Sequence, residues 1–269
     1  MAIKTVKATI NGQTYDLALN SSTGKWEATI TAPGKTSYNQ AGGYYNVSVV
    51  ATNEAGTSGS ADATTIDGLK LVVKETVAPV ITIVSPTNGA YVSKQPVVFT
   101  VVDEAGGSGV NISSLVVKLD GKAVDAATLT STAITNGYSV TYTPAAALAD
   151  GAHTVTIDCK DNDGNAATQK STSYTIDTVP PTLNVTSPAE GLVTATSSVT
   201  VAGTTNDATS SPVTITISLN GEDQGAVTVG ANGSFSKTVT LAEGSNTIIV
   251  KAKDAAGKES TVTRNVTLD

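Results

Sequence analysis

Apolar and polar residues alternate with a period of two in three places, and each time the run ends at an Asn/Asp-Gly pair. Val6, Ala8 and Ile10 lead to Asn11-Gly12; Leu115, Val117 and Leu119 lead to Asp120-Gly121; Ile215, Ile217 and Leu219 lead to Asn220-Gly221. A glycine turn and an aromatic follow in each copy, at Gly24-Lys25-Trp26, Gly137-Tyr138 and Gly233-Ser234-Phe235. A second alternating strand then ends in an acid or amide. Val47, Val49 and Ala51 stop at Asn53, Val155, Ile157 and Cys159 at Asp161, and Ile248, Val250 and Ala252 at Asp254. Period-2 alternation buries one face of a strand and wets the other, so these are sheet elements and not helices. A repeat of roughly 90–110 residues is too long for a solenoid and is the size of a β-sandwich domain. The pattern predicts an all-β chain of three tandem sandwiches in an elongated array.

Composition agrees. The 269 residues include 44 threonines and 32 valines, and β-branched side chains suit a pleated, half-buried surface. Aromatics are only 4%, so each core is expected to be thin. Charged residues make up 14%, against about 25% in an average soluble protein. The net charge of −7 argues against nucleic acid and anionic membranes as partners, and no run of 18 apolar residues is present to insert into a bilayer. The N-terminal residues enter a strand pattern at once, without the apolar core of a signal peptide. The chain is therefore expected to be a piece of a longer one, or to leave its cell by another route. Cys159 has no partner for an internal disulfide and occupies the repeat position of Ala51 and Ala252, so a small buried core residue is expected there.

The second and third copies open alike. Glu75-Thr76-Val77-Ala78-Pro79 precedes Ser85-Pro86-Thr87-Asn88-Gly89, and Asp177-Thr178-Val179-Pro180-Pro181 precedes Ser187-Pro188-Ala189-Glu190-Gly191. Proline is tolerated at a strand start, and joints this short without a Gly/Ser tract are semi-rigid. The expected boundaries are 1–75, shorter and atypical, then 76–177 and 178–269. These openings, with Glu243-Gly244-x-Asn246 before Asp254-Ala255-Ala256-Gly257, resemble bacterial immunoglobulin-like domains. The third copy resembles the Ig-like accessory domain found beside glucodextranase catalytic modules. The second is similar more loosely, through Asp103 to Gly109 and Asp161 to Asn165. The whole chain resembles Ig-like proteins encoded near phage tail genes. Such modules decorate adhesins, polysaccharide hydrolases and virions alike, so the resemblance implies fold more than function.

Catalytic chemistry finds little support. His153 is the only histidine, a Ser-His-Asp relay has no evident cleft, and zinc would need more His or Cys ligands than one of each. Asp158 and Asp161, three apart on a strand end, fall on opposite faces and do not form a glycosidase pair. Glu104 to Gly109 lacks the Lys-Ser/Thr of a phosphate loop. No catalytic residue is assigned.

Two binding expectations remain. Trp26, Tyr138 and Phe235 share one repeat slot, which favours a core role, whereas Tyr38, Tyr44 and Tyr45 around Gly42-Gly43 have no counterparts and are the candidate ligand residues for stacking on a sugar. The other expectation rests on the resemblance, which places the linker entering a domain beside the loop after its second strand and the turn after its late central strand. Acids map to all three places: Glu75, Asp103 and Asp161 at the first joint, with Asp163 and Asn165 as further oxygen donors, and Asp177, Asp207 and Asp254 at the second. Three converging carboxylates repel, and a Ca²⁺ ion taking six to eight oxygens at about 2.3–2.6 Å reverses that repulsion. The competing expectation is that these acids close their own turns, with Lys160 or Lys253 neutralising them. The function expected is a non-catalytic spacer and adhesion module, extracellular, at a cell surface or on a phage virion. Its partners would be surface glycans, surface proteins or neighbouring virion proteins. The alternatives are an ancillary region of a polysaccharide-degrading enzyme or a carbohydrate-binding module.

Overall fold

The computed structural model describes residues 2–94 and 96–269. No α-helix occurs among them; three single-turn 3₁₀ segments interrupt an otherwise all-β chain. Unit 1 carries β1 (Ile3–Ile10), β2 (Gln13–Asn20), β3 (Lys25–Glu27), β4 (Tyr45–Asn53), β5 (Ser58–Ala61) and β6 (Lys70–Leu71). Unit 2 carries β7 (Val80–Ser85), β8 (Ala90–Val92), β9 (Val97–Val102), β10 (Val110–Leu119), β11 (Lys122–Ala123), β12 (Leu129–Ile134), β13 (Gly137–Tyr142), β14 (Gly151–Asp161) and β15 (Lys170–Ile176). Unit 3 carries β16 (Thr182–Ser187), β17 (Leu192–Thr194), β18 (Ser198–Asn206), β19 (Thr214–Leu219), β20 (Glu222–Asp223), β21 (Ser234–Thr240), β22 (Gly244–Lys253) and β23 (Glu259–Leu268).

Each Asn/Asp-Gly pair forms the tight turn the sequence predicts. Both residues have positive φ, 48° and 79° at Asn11-Gly12, 49° and 79° at Asp120-Gly121, and 52° and 88° at Asn220-Gly221. That geometry matches the right-handed twist of the strands it joins, and it costs least at Asn, Asp and Gly. The turns fix register, pairing Ile10 with Gln13, Leu119 with Lys122 and Leu219 with Glu222.

Units 2 and 3 are two-sheet sandwiches. In unit 2 the sheet β11-β10-β14-β15-β8 faces β12-β13-β9-β7; in unit 3 β20-β19-β22-β23-β17 faces β16-β18-β21. Alternate residues of both sheets interdigitate into one core per unit, with Ile81, Phe99, Val101 and Val140 meeting Val117, Val155, Ile157, Cys159 and Tyr174 in unit 2. In unit 3 Val201, Phe235 and Val239 meet Ile217, Ile248, Val250 and Ala252. Cys159 is the small buried residue expected.

The first unit is the atypical one, and the structure gives its form. Its strands make one six-stranded sheet, β3-β2-β1-β4-β5 with β6 on β4. Residues 28–44, with Pro33 and Gly34, form no strand. Its buried hydrophobics are few: Val6, Ala8, Ile10, Tyr45 and Ala63.

The surface area reports how the units sit together. The chain exposes 14759 Å². A single compact globule of its mass would expose about 10,800 Å², whereas three separate units of about 9 kDa would expose about 14,600 Å². The observed area is close to that of three separate units, and no hydrogen bond among the described residues links unit 1 to unit 3.

Candidate metal centres at the joints

Glu75 leaves unit 1 along the linker, Asp103 follows β9, and Asp161 ends β14. The fold gathers them so that one carboxylate oxygen from each lies within 4.8 Å of the others. Asp177, Asp207 (after β18) and Asp254 (after β22) meet in the same way at the second joint. Asp103, Asp161, Asp177 and Asp254 are 4%, 1%, 0% and 5% exposed. Burial without a cation is costly, and no Lys or Arg pairs with either cluster among the described residues. Lys253 instead pairs with Glu259 at 3.5 Å.

Some of these oxygens close their own turns. Asp161 Oδ1 accepts from the backbone N–H of Gly164 and Asn165 (2.6 and 2.8 Å), and Asp207 Oδ1 accepts from those of Thr209 and Ser210 (2.8 Å each). Asp103 Oδ2 accepts from Gly109 N–H at 2.7 Å, Asp254 Oδ1 from Lys258 N–H at 2.8 Å, and Asp177 Oδ2 from the Ser210 hydroxyl. Others are left over. Glu75 Oε2, Asp103 Oδ1 and Asp254 Oδ2 are buried and have no hydrogen-bond partner. Turn closure thus accounts for only part of each cluster, and the orphaned oxygens are the hard donors that calcium prefers.

Asp163 and Asn165 turn to other work. Asp163 Oδ2 accepts from Thr36 Oγ1 at 2.5 Å and from Glu75 N–H at 3.1 Å, which ties the turn after β14 to unit 1. Asn165 donates its amide to Asp161 Oδ2 at 2.7 Å and to the Glu75 carbonyl at 3.2 Å. Asn39 Nδ2 donates to the Gly107 carbonyl at 2.7 Å, a further clamp across this joint.

One acid escaped the sequence analysis. Glu104 lies against Glu75 and Asp103, and its Oε2 is a further buried oxygen without a partner. Contact with Glu75, then burial, then Asp103 push its pKa up to about 7. Glu75 moves down: its burial, the largest single effect, opposes this, but Glu104 and the Ser108 hydroxyl and N–H outweigh it. A proton held by Glu104 relieves the crowding when no cation does. The signal lay in the Asp103-Glu104 doublet followed by glycines. A Cβ at Gly107 would stand 2.7 Å from Glu75 Oε2 and 2.8 Å from Asp103 Oδ2, so glycine there is what lets the carboxylates close in.

The three candidate tyrosines have different surroundings. Tyr45 is 5% exposed and donates from its hydroxyl to the Lys35 carbonyl at 3.2 Å, so it reaches the surface only as part of the wall beside Tyr44. Tyr44 carries the Lys70 ammonium 5.2 Å above its ring and lines a shallow groove of about 320 Å³ with Gln40 and Asn46. Tyr38 is 49% exposed and stands outside that groove. Of the repeat-slot aromatics, Phe235 is core and Tyr138 packs at the core edge. His153 binds Asp120 through Nδ1 at 2.8 Å and the Ala149 carbonyl through Nε2 at 2.9 Å, pinning the Asp120-Gly121 turn.

Residues 181–269 match the family model of glucodextranase, domain B, and residues 105–178 match that of a bacterial Ig-like domain. No curated protein matches the chain. Among solved structures it is similar to the fibronectin(III)-like modules of Clostridium thermocellum CbhA, at 16% identity over 70% of this chain and 94% of that one, with a TM-score of 0.47. A stretch of titin domains aligns at 16% identity over 97% and 86%, with a TM-score of 0.45. A 1.5-MDa bacterial ice-binding adhesin aligns at 22% identity over 100% and 88%, with a TM-score of 0.34.

Proposed function

We propose that this tandem Ig-like chain is a non-catalytic spacer and adhesion module. It works at a cell surface or on a phage tail, and its two joints are stiffened by calcium. Units 1–75, 76–177 and 178–269 fold separately and hold a binding or catalytic partner away from the surface that carries them. The observation that supports this most is the position of the two acid clusters. Each takes one ligand from the linker and two from the following unit, so a cation there fixes the angle between neighbours rather than a loop within one. At the first joint Glu75, Asp103 and Asp161 would hold the ion, with Glu104 beside them; at the second, Asp177, Asp207 and Asp254. Calcium bound there would neutralise the converging charges and draw the three chain segments together through their oxygens, and the surrounding N–H donors hold the carboxylates in place. With strands of about ten residues at ~3.3 Å each, three units end to end span roughly 100–120 Å.

Small-angle scattering of the full chain in EDTA and in millimolar calcium tests this reading. A long particle in both buffers, with a narrower distribution of dimensions in calcium, is expected. A maximum dimension near that of a compact globule refutes the spacer, and identical profiles refute the calcium joints.

The match of residues 181–269 to glucodextranase, domain B, supports a second reading, an ancillary region of a polysaccharide-degrading enzyme. In that case glycan contact would fall to Tyr38 and Tyr44, and a glycan array with their alanine variants separates the two.

A further inference from the structure

We propose that Glu104 is a fourth carboxylate ligand at the first joint with no counterpart at the second, so that the joints take calcium in order, the first at the lower concentration. The inference rests on the reading of both acid clusters as calcium sites and adds the residue that makes them unequal. The repeat supplies the comparison. Asp103 follows β9 and Asp207 follows β18, yet the next residue is Glu104 in one copy and Ala208 in the other.

The oxygens differ accordingly. Among the described residues the first joint has three buried oxygens without a hydrogen-bond partner, Glu75 Oε2, Asp103 Oδ1 and Glu104 Oε2, and the second has one, Asp254 Oδ2. Asp103 is 4% exposed, so solvent does not satisfy its free oxygen. At the second joint both oxygens of Asp177 already accept, Oδ1 from the Val179 N–H at 3.0 Å and Oδ2 from the Ser210 hydroxyl. The first cluster is also crowded around one glycine. Glu75 Oε2, Asp103 Oδ2 and the Glu104 carboxyl carbon stand 2.7, 2.8 and 2.9 Å from the place a Cβ on Gly107 would take. Four converging charges repel more than three, and calcium affinity rises with the number of charged ligands.

The first joint is also better prepared. Unit 1 reaches across to unit 2 through Asn39 on the Gly107 carbonyl (2.7 Å) and Thr36 on Asp163 (2.5 Å), which holds the glycine turn and the turn after β14 before a cation arrives. At the second joint the linker is tied backwards, Thr178 donating its N–H and hydroxyl to Asp150 of unit 2 at 3.0 and 2.9 Å. Between the two affinities, units 1 and 2 form one stiff body while unit 3 still swings.

Isothermal titration of the metal-free full chain with calcium chloride, at about pH 8 where the acids are ionised, tests this together with scanning calorimetry at stepped calcium. Two binding events are expected, about tenfold or more apart in Kd. Glu104→Gln should weaken the tighter event about tenfold and leave the weaker in place, whereas Asp254→Asn should weaken only the weaker. In the wild type the unit 2 transition should rise at lower calcium than that of unit 3, a readout that decides the order even if a variant does not fold. Equal affinities, the reverse order, or a tighter site unmoved by a Glu104→Gln variant shown folded by circular dichroism overturns this proposal and leaves the calcium joints standing. A chain that takes up no calcium overturns both.

Discussion

The joint chemistry makes its sharpest claim at Asp254, where one substitution should stabilise the protein in one buffer and destabilise it in another. Asp254→Asn keeps an oxygen to accept the Lys258 N–H and replaces the orphaned, buried Oδ2 with an amide donor facing two carboxylates. Two unit charges 4.8 Å apart, the limit within which these oxygens lie, repel by ~0.9 kcal/mol in water and ~3.5 kcal/mol at an effective dielectric constant of 20. Asp254 makes two such pairs. The neighbours Asp177 and Asp207 already accept N–H and O–H bonds that offset part of the repulsion, so the realised gain in EDTA should be about 1–3 kcal/mol. For a unit of this size that is a rise of ~4–8 °C in Tm per kcal/mol. In calcium the order reverses. A site held at a hundred times its Kd contributes ~2.7 kcal/mol, and the variant forfeits much of that with its charged ligand. Differential scanning calorimetry of both proteins in EDTA and in excess calcium reads the crossing directly. A shift of the same sign in both buffers, or a wild type indifferent to calcium, would refute the reasoning and leave Asp254 as a turn residue.

Two further tests follow from the fold. His153 has an acceptor on each ring nitrogen, so the imidazolium is favoured; burial, the largest effect, works against this, but the Ala149 carbonyl and Asp120 outweigh it and its pKa is raised. For Asp120 burial likewise opposes, and the Thr154 N–H and His153 prevail, so its pKa is lowered. Stability from the histidine is full below its unfolded value of about 6.5 and lost as pH rises through the raised value; that from the aspartate is present above about 3.8 and lost as pH falls through the lowered one. The pair should therefore contribute most between about pH 4 and 6.5, and an NMR titration of this single histidine should show a midpoint above 6.5 that falls in Asp120→Asn; an unchanged midpoint would count against the pairing. Gly203→Ala puts a Cβ 2.2 Å from the Asn184 carbonyl oxygen and 2.8 Å from Phe235 Cζ, so unit 3 should lose about 2–3 kcal/mol or more while the calorimetric transition of unit 2 stays in place. A joint shift of both transitions would contradict separate folding.

What the sequence determined by itself was local. Alternation at Val155, Ile157 and Cys159 fixed which face is buried, because a strand's side chains have a period of two whatever it packs against. The Asn/Asp-Gly pairs fixed hairpins and register, because few residues accept positive φ twice in succession. Repetition then placed the joints, and with the family resemblance it named both acid triads before any coordinate did. Other features depended on contacts between distant segments. Glu104 joins the first cluster only because the glycine turn after β9 folds back against the linker, and Asp163 faces Thr36 because the two units meet there. Tyr45 reads as an exposed aromatic beside Gly42-Gly43, yet the Lys35 carbonyl and the core of unit 1 enclose it. Whether the apolar face of β1 and β4 would find a second sheet was likewise beyond alternation. A strand pattern says which side avoids water, and only the tertiary structure decides what, if anything, covers it.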